Sequence, residues 1–330
     1  MKLYRKDGYL NIEGLLRQPF TFIFLIGGRG TGKTYGILKY IVENRKTMFM
    51  IRRTQAQADI VSKPEFNPFR PITDGVIVKP ESKYHSGFYK EEKCIGYIAG
   101  LSTFAKIRGF DASGIDVIFY DEFIPELHEA RIKHEAEALL NAYETVNRNR
   151  ELSGKDPVKL VCAANSNRID NEVLQKFGLL NPLQKMIKTG AEIWKDEKRS
   201  ILLVYLSESP ISKAKEKTAL YTALGEESHY ADMALKNRFA ELPDRIVSRD
   251  LTQYRILLKI GNIGFYVARS GILGFYVRRS KETAAREYGT EEAEVRRFRY
   301  ENPFIWKWVT AGIVEFESLD VYTEFNSYLT

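Results

Sequence analysis

The sequence is poor in the residues that build disulfide frameworks and zinc sites. It contains two cysteines and four histidines in 330 residues, and they do not occur at the spacings that hold zinc. Cys94 and Cys162 lie in apolar, strand-like segments. We therefore expect both to be reduced packing residues of a protein from a reducing compartment.

Long apolar runs are also missing. No window approaches the length of a membrane span, and the basic start of the chain, Lys2 to Lys6, is followed by polar residues rather than by the apolar core of a signal peptide. The sequence therefore predicts a cytoplasmic protein with no membrane partner.

Apolar and basic residues, by contrast, are plentiful. The hydrophobic fraction of 44% is enough for the cores of two domains, or of one domain with a large appendage. Lysine and arginine number 50 against 43 acidic residues, which gives a net charge of +7. This charge suits a polyanionic partner such as nucleic acid, although many basic proteins bind none.

The strongest motif begins where an apolar run, Phe20 to Ile26, ends in a cluster of glycines. The spacing from Gly27 through Gly32 to Lys33 and Thr34 fits the phosphate-binding loop, G-x-x-x-x-G-K-S/T. Glycines let backbone amides curl around a phosphate chain, Lys33 would reach the β- and γ-phosphates, and Thr34 would place its hydroxyl on Mg²⁺. A glycine-rich turn could match by accident, but the strand before the loop and the helical pattern after it favour an ATP site. The predicted nucleotide-binding residues are Gly27, Gly28, Arg29, Gly30, Thr31, Gly32, Lys33 and Thr34.

A second apolar strand ends in two acids, in the segment IDVIFYDE from Ile115 to Glu122. Asp121 would hold Mg²⁺ together with Thr34, and Glu122 would polarise the water that attacks the γ-phosphate. The alternative is a strand followed by an ordinary acidic turn. The adjacent pair of acids favours an ATPase that hydrolyses over a kinase or a GTP switch.

Two further apolar segments extend the predicted sheet. VKLVCAANS, from Val158 to Ser166, ends in small polar residues, where Asn165 is either a γ-phosphate sensor or a plain strand exit. KTMFMIRR ends at Arg52 and Arg53. With intervening helices, these strands predict an α/β fold with a mainly parallel sheet and ligands at its carboxyl edge.

Arginines and a lysine stand in two basic segments. Arg148 and Arg150 close a helical segment, where cations are favourable for local reasons; the functional alternative is an arginine finger that reaches a neighbouring subunit. Lys106 and Arg108 precede the second strand, where they could act on a nucleotide in trans or touch a nucleic-acid backbone.

Six segments follow one another along the chain: GGRGTGKT, FMIRR, LSTFAKIRGF, VIFYDEF, ETVNRNRE and CAANS. In order and spacing they resemble the DNA-packaging motor ATPases of small tailed phages, the Picovirinae type. That family is a compact relative of the large terminase subunits. The resemblance covers the chain well through residue 167, and ALKNRFAEL (234–242) adds a further likeness. It implies an ASCE-type P-loop ATPase with ATP and Mg²⁺ as cofactors. It also implies a ring, usually of five subunits, mounted on the portal of an empty capsid in the host cytoplasm and pumping double-stranded DNA inward. An RNA adaptor is a further partner that this reading leaves open.

The same resemblance assigns roles by position. Lys33 and Thr34 match the phosphate-loop pair, Asp121 and Glu122 the Walker B acids, Arg148 the trans-acting finger and Asn165 a coupling residue. Arg108 stands where some relatives have lysine.

The sequence suggests three parts: a P-loop ATPase domain (1–207), a helical lid or linker (208–245) and a C-terminal domain (246–330). In terminases the last domain is an RNase H-like nuclease whose first strand carries a metal-binding aspartate. The segment from Leu251 to Ser280 predicts a three-stranded meander with turns at Gly261–Asn262 and Ser270–Gly271. Its first strand, Tyr254 to Ile260, and the two strands after it contain no acid, and two-metal cleavage needs clustered carboxylates. We therefore expect a degenerate RNase H-like α+β domain that lacks nuclease activity. Its interleaved arginines and aromatics would either face DNA or form a solvated sheet.

Two rival functions stay open on sequence grounds: a helicase-like remodelling ATPase, and a nucleotide-dependent assembly switch that never touches DNA. The first lacks recognisable helicase motifs downstream. The second leaves the two acids and the basic C-terminal part unexplained.

Overall fold

A computed structural model of the chain describes residues 2–107, 109–126, 129–165, 169–206, 209–215, 217–224, 245–269 and 274–329. The chain divides into two compact units. The first comprises residues 1–173 and 185–241, and the second comprises residues 174–184 and 242–330.

The first unit is built on one large sheet. Its strands in the described residues are β1 (Phe22–Gly27), β2 (Met48–Arg52), β3 (Val76–Pro80), β4 (His85–Lys90), β5 (Lys93–Gly100), β6 (Val117–Asp121), β7 (Lys159–Ala164), β8 (Ile193–Asp196) and β9 (Ile201–Leu206). They follow the order β3-β4-β5-β2-β6-β7-β1-β9-β8. The six strands from β5 to β9 in that order run parallel, and antiparallel strands close both edges. The predicted α/β class with a mainly parallel sheet is confirmed.

Along the chain, helices lie before, between and after these strands. They are α1 (Ile12–Leu16), α2 (Lys33–Glu43), α3 (Gln55–Val61), α4 (Glu135–Asn147), α5 (Glu172–Lys176), α6 (Leu180–Thr189), α7 (Pro210–Lys215) and α8 (Ala219–Leu224). Residues 174–184, which include parts of α5 and α6, belong to the second unit. Short 3₁₀ turns are formed by Pro64–Phe66, Leu101–Ile107 and Glu151–Ser153. The last two helices lie within the predicted linker, whereas ALKNRFAEL lies outside the described residues.

The central strands are apolar along their whole length because both faces of the sheet are covered. Phe24 in β1, Phe119 in β6 and Val161 in β7 are fully buried, as expected for parallel strands packed between helices. Since neighbouring strands run parallel, the carboxyl ends of β1, β2, β6 and β7 meet at one edge. That edge is where open α/β sheets bind ligands.

The second unit has a smaller sheet. Its described strands are β10 (Tyr254–Ile260), β11 (Ile263–Ala268), β12 (Phe275–Arg279), β13 (Glu287–Tyr288) and β14 (Val314–Phe316), in the order β13-β10-β11-β12-β14. The predicted antiparallel meander is confirmed in β10 to β12. Its predicted first turn, Gly261–Asn262, joins β10 and β11, and the predicted second turn, Ser270–Gly271, lies outside the described residues. β13 pairs parallel with β10, and β14 pairs parallel with β12.

The helices that pack on this sheet include, among the described residues, α9 (Glu292–Glu301), α10 (Pro303–Ala311) and α11 (Leu319–Leu329). Phe298 and Phe325 from these helices join Phe265 in a common core, and Trp308 stacks on Phe275 with ring centroids 4.1 Å apart. In the described part of the chain, we find neither a helix long and apolar enough to cross a bilayer nor a metal-binding cluster of three or more His, Cys, Asp or Glu side chains.

Candidate nucleotide-binding site

A glycine loop joins the buried strand β1 to helix α2. Gly30 and Gly32 have φ angles of 76° and 86°, in the left-handed region that glycine adopts without strain. Gly32 caps α2 without a side-chain bond to the first amides of that helix. The helix N-terminus and the loop amides together form a site for an anion.

Lys33 is buried and folded back into this loop. Its Nζ donates to the carbonyl oxygens of Gly27 and Gly28, both at 2.8 Å. It also lies 3.4 Å from Thr31 Oγ1 and 3.4 Å from Asn165 Oδ1. Through the contact with Asn165, the polar end of β7 lies next to the phosphate loop.

Thr34 and Asp121 meet across the edge of the sheet. Thr34 Oγ1 donates to Asp121 Oδ1 at 3.1 Å, and Arg52 Nη1 donates to Asp121 Oδ2 at 2.8 Å. Asp121 is 5% exposed. Burial is the main cause that raises the pKa of this carboxyl, and neighbouring Glu122 adds to it, while Arg52, the Thr34 bond and Lys33 act in the opposite direction. A hydroxyl and a carboxylate at one point are oxygen donors of the kind that Mg²⁺ takes, so the residues fit this ion.

Glu122 stands directly after β6 in an unusual backbone conformation. Its φ angle is 55°, a region that costs energy for a residue other than glycine. Its side chain is half exposed and forms an ion pair with Arg52. Successive side chains of a strand point to opposite faces of the sheet. The left-handed backbone at Glu122 ends this alternation, and Glu122 lies with Asp121 in the wall of one cavity.

One cavity of about 870 Å³ collects these groups. From the predicted set it is lined by Arg29, Gly30, Thr31, Gly32, Lys33, Thr34, Asp121, Glu122 and Asn165. Gly27 and Gly28 take part through the carbonyl oxygens that hold Lys33. Arg29 forms an ion pair with Glu126. A volume of this size suits a nucleotide.

The other predicted basic residues are not among the lining residues of this cavity. Arg148, at the C-terminal end of α4, is exposed; its Nη2 donates to Phe110 O at 2.6 Å and its Nε to Thr145 O at 3.1 Å. Arg150 donates to the carbonyl oxygen of Ile115 at 2.6 Å. Lys106 Nζ lies 5.0 Å from the centre of the Tyr84 ring. Arg108 lies outside the described residues.

Sequence reasoning missed five residues of the site. Arg52 was assigned only to a strand end; its contact with both acids depends on the pairing of β2 with β6. The cavity is also lined by residues for which no motif gave a signal, namely Arg5, Asp7, Tyr9 and Tyr35.

The arrangement can hold a polyphosphate and a hard cation beside a carboxylate. Lys33, the loop amides and the helix N-terminus supply positive potential for phosphates. Thr34 and Asp121 supply oxygen donors, and Glu122 is positioned to accept a proton. Hydrolysis of a nucleoside triphosphate needs groups of these kinds at one site.

Comparison with known proteins gives consistent matches. The family model described as Podovirus DNA encapsidation protein (Gp16) matches residues 4–267. The DNA packaging protein of Bacillus phage phi29 is 24% identical over 239 residues, which cover 71% of this chain and 67% of that protein. Two solved structures, the Phi-28 gp11 DNA packaging motor and the bacteriophage Phi-29 viral genome packaging motor assembly, match with TM-scores of 0.68 and 0.67 at 18% and 19% identity. In both cases 98% of each chain is covered. At these identities the structural likeness concerns the fold alone.

Proposed function

The chain belongs to the Podovirus DNA encapsidation protein (Gp16) family, and on that premise we propose that it is an ATP-hydrolysing motor that drives double-stranded viral DNA into a preformed capsid. The observation that carries the proposal is the convergence of three strand ends. Lys33 Nζ lies 3.4 Å from Asn165 Oδ1, and Thr34 Oγ1 donates to Asp121 Oδ1 at 3.1 Å. A phosphate loop, an acidic strand end and a polar strand end thus share one cavity.

The proposed roles follow from these positions. Lys33 and the loop amides bind the β- and γ-phosphates. Thr34 and Asp121 hold Mg²⁺, which when bound neutralises charge on those phosphates. Glu122, which lies in the wall of the same cavity, accepts a proton from the attacking water. Asn165, bonded to Lys33, senses whether a γ-phosphate is present.

Arg148 is proposed as a finger that acts on the neighbouring subunit. It is exposed and lies outside the lining of its own chain's cavity, and to reach a site on another copy it would exchange its bonds to Phe110 O and Thr145 O for the phosphate there. Lys106, Arg108 and Arg150 are proposed as contacts to a neighbouring nucleotide or to DNA. The bond from Arg150 to Ile115 O gives that residue a structural role as well.

The proposed assembly is a homo-oligomeric ring, with five subunits as the working number, on the portal of the viral procapsid in the host cytoplasm. A relative solved as a packaging motor assembly supports the ring. Within each subunit, residues 1–207 form the ASCE-type ATPase domain, 208–245 a lid or linker, and 246–330 an RNase H-like domain that binds DNA without cutting it. The β10–β12 meander under three helices supports the last assignment. An RNA adaptor remains a candidate partner.

ATP hydrolysis by the full chain, with and without double-stranded DNA at two salt concentrations, tests the proposal. We expect DNA to stimulate hydrolysis, and the stimulation to weaken at high salt because phosphate contacts release counterions. Lys33→Ala, the control, should neither bind ATP nor hydrolyse it. Hydrolysis that ignores DNA at both salt concentrations would contradict a motor and favour an assembly switch. Strand separation would favour a helicase.

A further inference from the structure

Two lysines from different segments meet at one tyrosine ring on the surface of the first unit. Lys83 Nζ lies 5.9 Å and Lys106 Nζ lies 5.0 Å from the centre of the Tyr84 ring. Both lysines are exposed, and the tyrosine is half-buried. An aromatic ring attracts cations at such distances, so Tyr84 gathers two positive charges at one place.

The tyrosine stands at the tip of the hairpin formed by β3 and β4, and hydrogen bonds within the tip hold its shape. Glu81 N and Ser82 N both donate to His85 O at 3.1 Å. Tyr84 N donates to Ser82 Oγ at 3.0 Å. The His85 ring in turn packs against Phe110, with ring centroids 5.5 Å apart. The tip therefore fixes the position of Tyr84 before a partner arrives.

Lys106 reaches the same ring from a 3₁₀ turn that is anchored in the core. Leu101, Phe104 and Ile107 of this turn are buried, whereas Lys106 is exposed. Both lysines thus start from ordered backbone. Holding their ammonium groups beside a partner costs less conformational entropy than it would for lysines on a loose segment.

The charge of this cluster is not neutralised within the described residues. Neither Lys83 nor Lys106 forms an ion pair there. Glu81, the acid nearest to Lys83 along the chain, accepts from Tyr89 Oη at 2.7 Å. Two like charges gathered at one ring repel each other, and an anion between them removes that repulsion. The cluster therefore favours an anionic partner.

The register of the sheet places the cluster at the same edge as the nucleotide-binding site. One row of paired residues runs from the hairpin to β6: His85, Ala99, Ile51 and Tyr120. Three strand spacings, about 14 Å, separate the two ends of this row. Asp121 follows Tyr120 directly, so an anionic polymer on the cluster lies beside the site of hydrolysis without entering it.

We propose that Lys83, Tyr84 and Lys106 form a contact for the phosphate backbone of duplex DNA. This inference rests on the proposed function, which makes duplex DNA the partner. A duplex carries one negative charge about every 1.7 Å along its axis, so its phosphates can engage both ammonium groups. Such contacts fix position and read no base sequence. Lys106 thus acts on DNA rather than on a neighbouring nucleotide, together with two residues that no motif selected.

Fluorescence anisotropy of the full chain with a short labelled DNA duplex, in Mg²⁺ and a non-hydrolysable ATP analogue, tests the contact. Lys83→Ala/Lys106→Ala should make the slope of log affinity against log salt shallower by about 2, because two phosphate contacts are lost. Its affinity should be about tenfold or more below that of the unaltered chain at about 50 mM salt, and this ratio should shrink about tenfold by about 200 mM. Tyr84→Ala should also weaken binding, whereas Tyr84→Phe keeps the ring and should keep the affinity.

The matched control is Lys93→Ala/Lys198→Ala, which removes the same charge at the opposite edge of the sheet. Lys93 begins β5 and Lys198 lies in the turn before β9, and both are exposed. This control should keep the salt slope of the unaltered chain. Both double variants should unfold at the urea concentration of the unaltered chain, since they change only exposed side chains.

The outcomes separate the contact from the proposed function. Equal slopes for the two double variants would reject the contact, because the effect would then be one of total charge. The same titration with single-stranded RNA of equal length tests the partner, and a loss confined to RNA would reject DNA. If the unaltered chain binds no duplex, the proposed motor function itself fails and the contact falls with it.

Discussion

At the scale of single residues, the two neighbouring acids at the end of β6 have different surroundings. Asp121 is buried, bonded to Thr34 and Arg52, and has a raised pKa because of its burial. Glu122 is half exposed on a left-handed backbone. Sequence adjacency therefore does not make them equivalent, and separate roles as cation ligand and proton acceptor are chemically reasonable.

The role of Glu122 gives the first prediction. Glu122→Gln should bind ATP with nearly unchanged affinity, since the phosphate loop is intact, and should lose hydrolysis by about 10²- to 10⁴-fold, as for removal of a general base. Calorimetry and a phosphate-release assay measure the two effects. Glu137→Gln, an exposed glutamate outside the cavity, is the matched control and should hydrolyse normally. Wild-type turnover by Glu122→Gln would show that another group accepts the proton.

Gly32 gives a prediction about the loop itself. Gly32→Ala places a Cβ at a φ of 86° and 2.9 Å from Tyr9. The backbone strain alone is about 1–2 kcal/mol, so both stability and phosphate affinity should fall. Gly114→Ala is the control, because no atom lies within 4 Å of the added Cβ and its φ is not positive. Urea unfolding and tripolyphosphate titration measure the two losses, and equal behaviour of the two variants would contradict the argument.

At the scale of elements, a hydrogen-bond network around a buried arginine joins four segments. Arg53, just after β2, is 1% exposed. Its Nε donates to Glu135 Oε1 at 3.0 Å, at the start of α4, and its Nη2 donates to Ala130 O at 3.0 Å in the loop after β6. Tyr120 of β6 also donates to Glu135. Burial is the main cause that raises the pKa of Glu135, against the effect of its hydrogen bonds. The network fixes α4 against the strand that ends in the catalytic candidates.

This network predicts a strong asymmetry between single and double changes. Arg53→Met should destabilise the first unit by about 3–5 kcal/mol, because Glu135 is left buried without its cation. Arg53→Met combined with Glu135→Met should recover part of that loss. Arg17→Met, which breaks an exposed pair with Glu13, should cost at most about 1 kcal/mol. Urea unfolding measures all three, and a double variant less stable than Arg53→Met would contradict a charge-pairing origin.

At the scale of the whole molecule, in the proposed ring two neighbouring subunits contribute to each nucleotide-binding site. Arg148 lies outside the lining of its own cavity and bonds the carbonyl oxygen of Phe110. An arginine that acts on a neighbour leaves nucleotide binding in its own subunit intact and changes hydrolysis in the next.

Mixed rings test that sharing. Arg148→Ala alone and Glu122→Gln alone should each be inactive, with an expected loss of about 10³-fold or more for the arginine. Mixing the two proteins in the presence of DNA should recover activity, because some interfaces then join an intact Glu122 to an intact Arg148. The recovery is measured by phosphate release.

The control for this mixture is Arg148→Ala with the double variant Arg148→Ala/Glu122→Gln, which has no intact arginine and should stay inactive. If rings shown to be mixed by differential labelling recover nothing, the trans role is wrong. Arg148 would then be only a cation at the end of a helix.

The second unit gives the last prediction. The described strands β10 to β12 have no acidic residue, and the described residues contain no metal-binding cluster of acids and histidines. The full chain should therefore leave plasmid DNA intact in millimolar Mn²⁺, whereas two-metal cleavage would need such a cluster. Agarose electrophoresis after prolonged incubation measures it, with Lys33→Ala to exclude effects of ATP turnover. Metal-dependent nicking by both proteins would restore a cutting role.

Local patterns in the sequence predicted the elements around the loop. The helix expected directly after the loop is Lys33–Glu43, and the strand expected from Phe20 to Ile26 is Phe22–Gly27. The third strand, expected from Val158, is Lys159–Ala164. These predictions succeeded because apolar periodicity, glycine spacing and strand length are properties of neighbouring residues.

By itself, then, the sequence determined the position of the glycine loop, the position of the two acids at a strand end, and the mainly parallel sheet. Only the tertiary structure decided which strands are neighbours, and therefore which side chains meet. Arg52 contacts Asp121 because β2 pairs with β6, and Tyr9 contacts Gly32 because Leu10 bonds Thr31. Such contacts join residues more than twenty positions apart. They depend on strand pairing and side-chain packing across the whole fold, which no local pattern records.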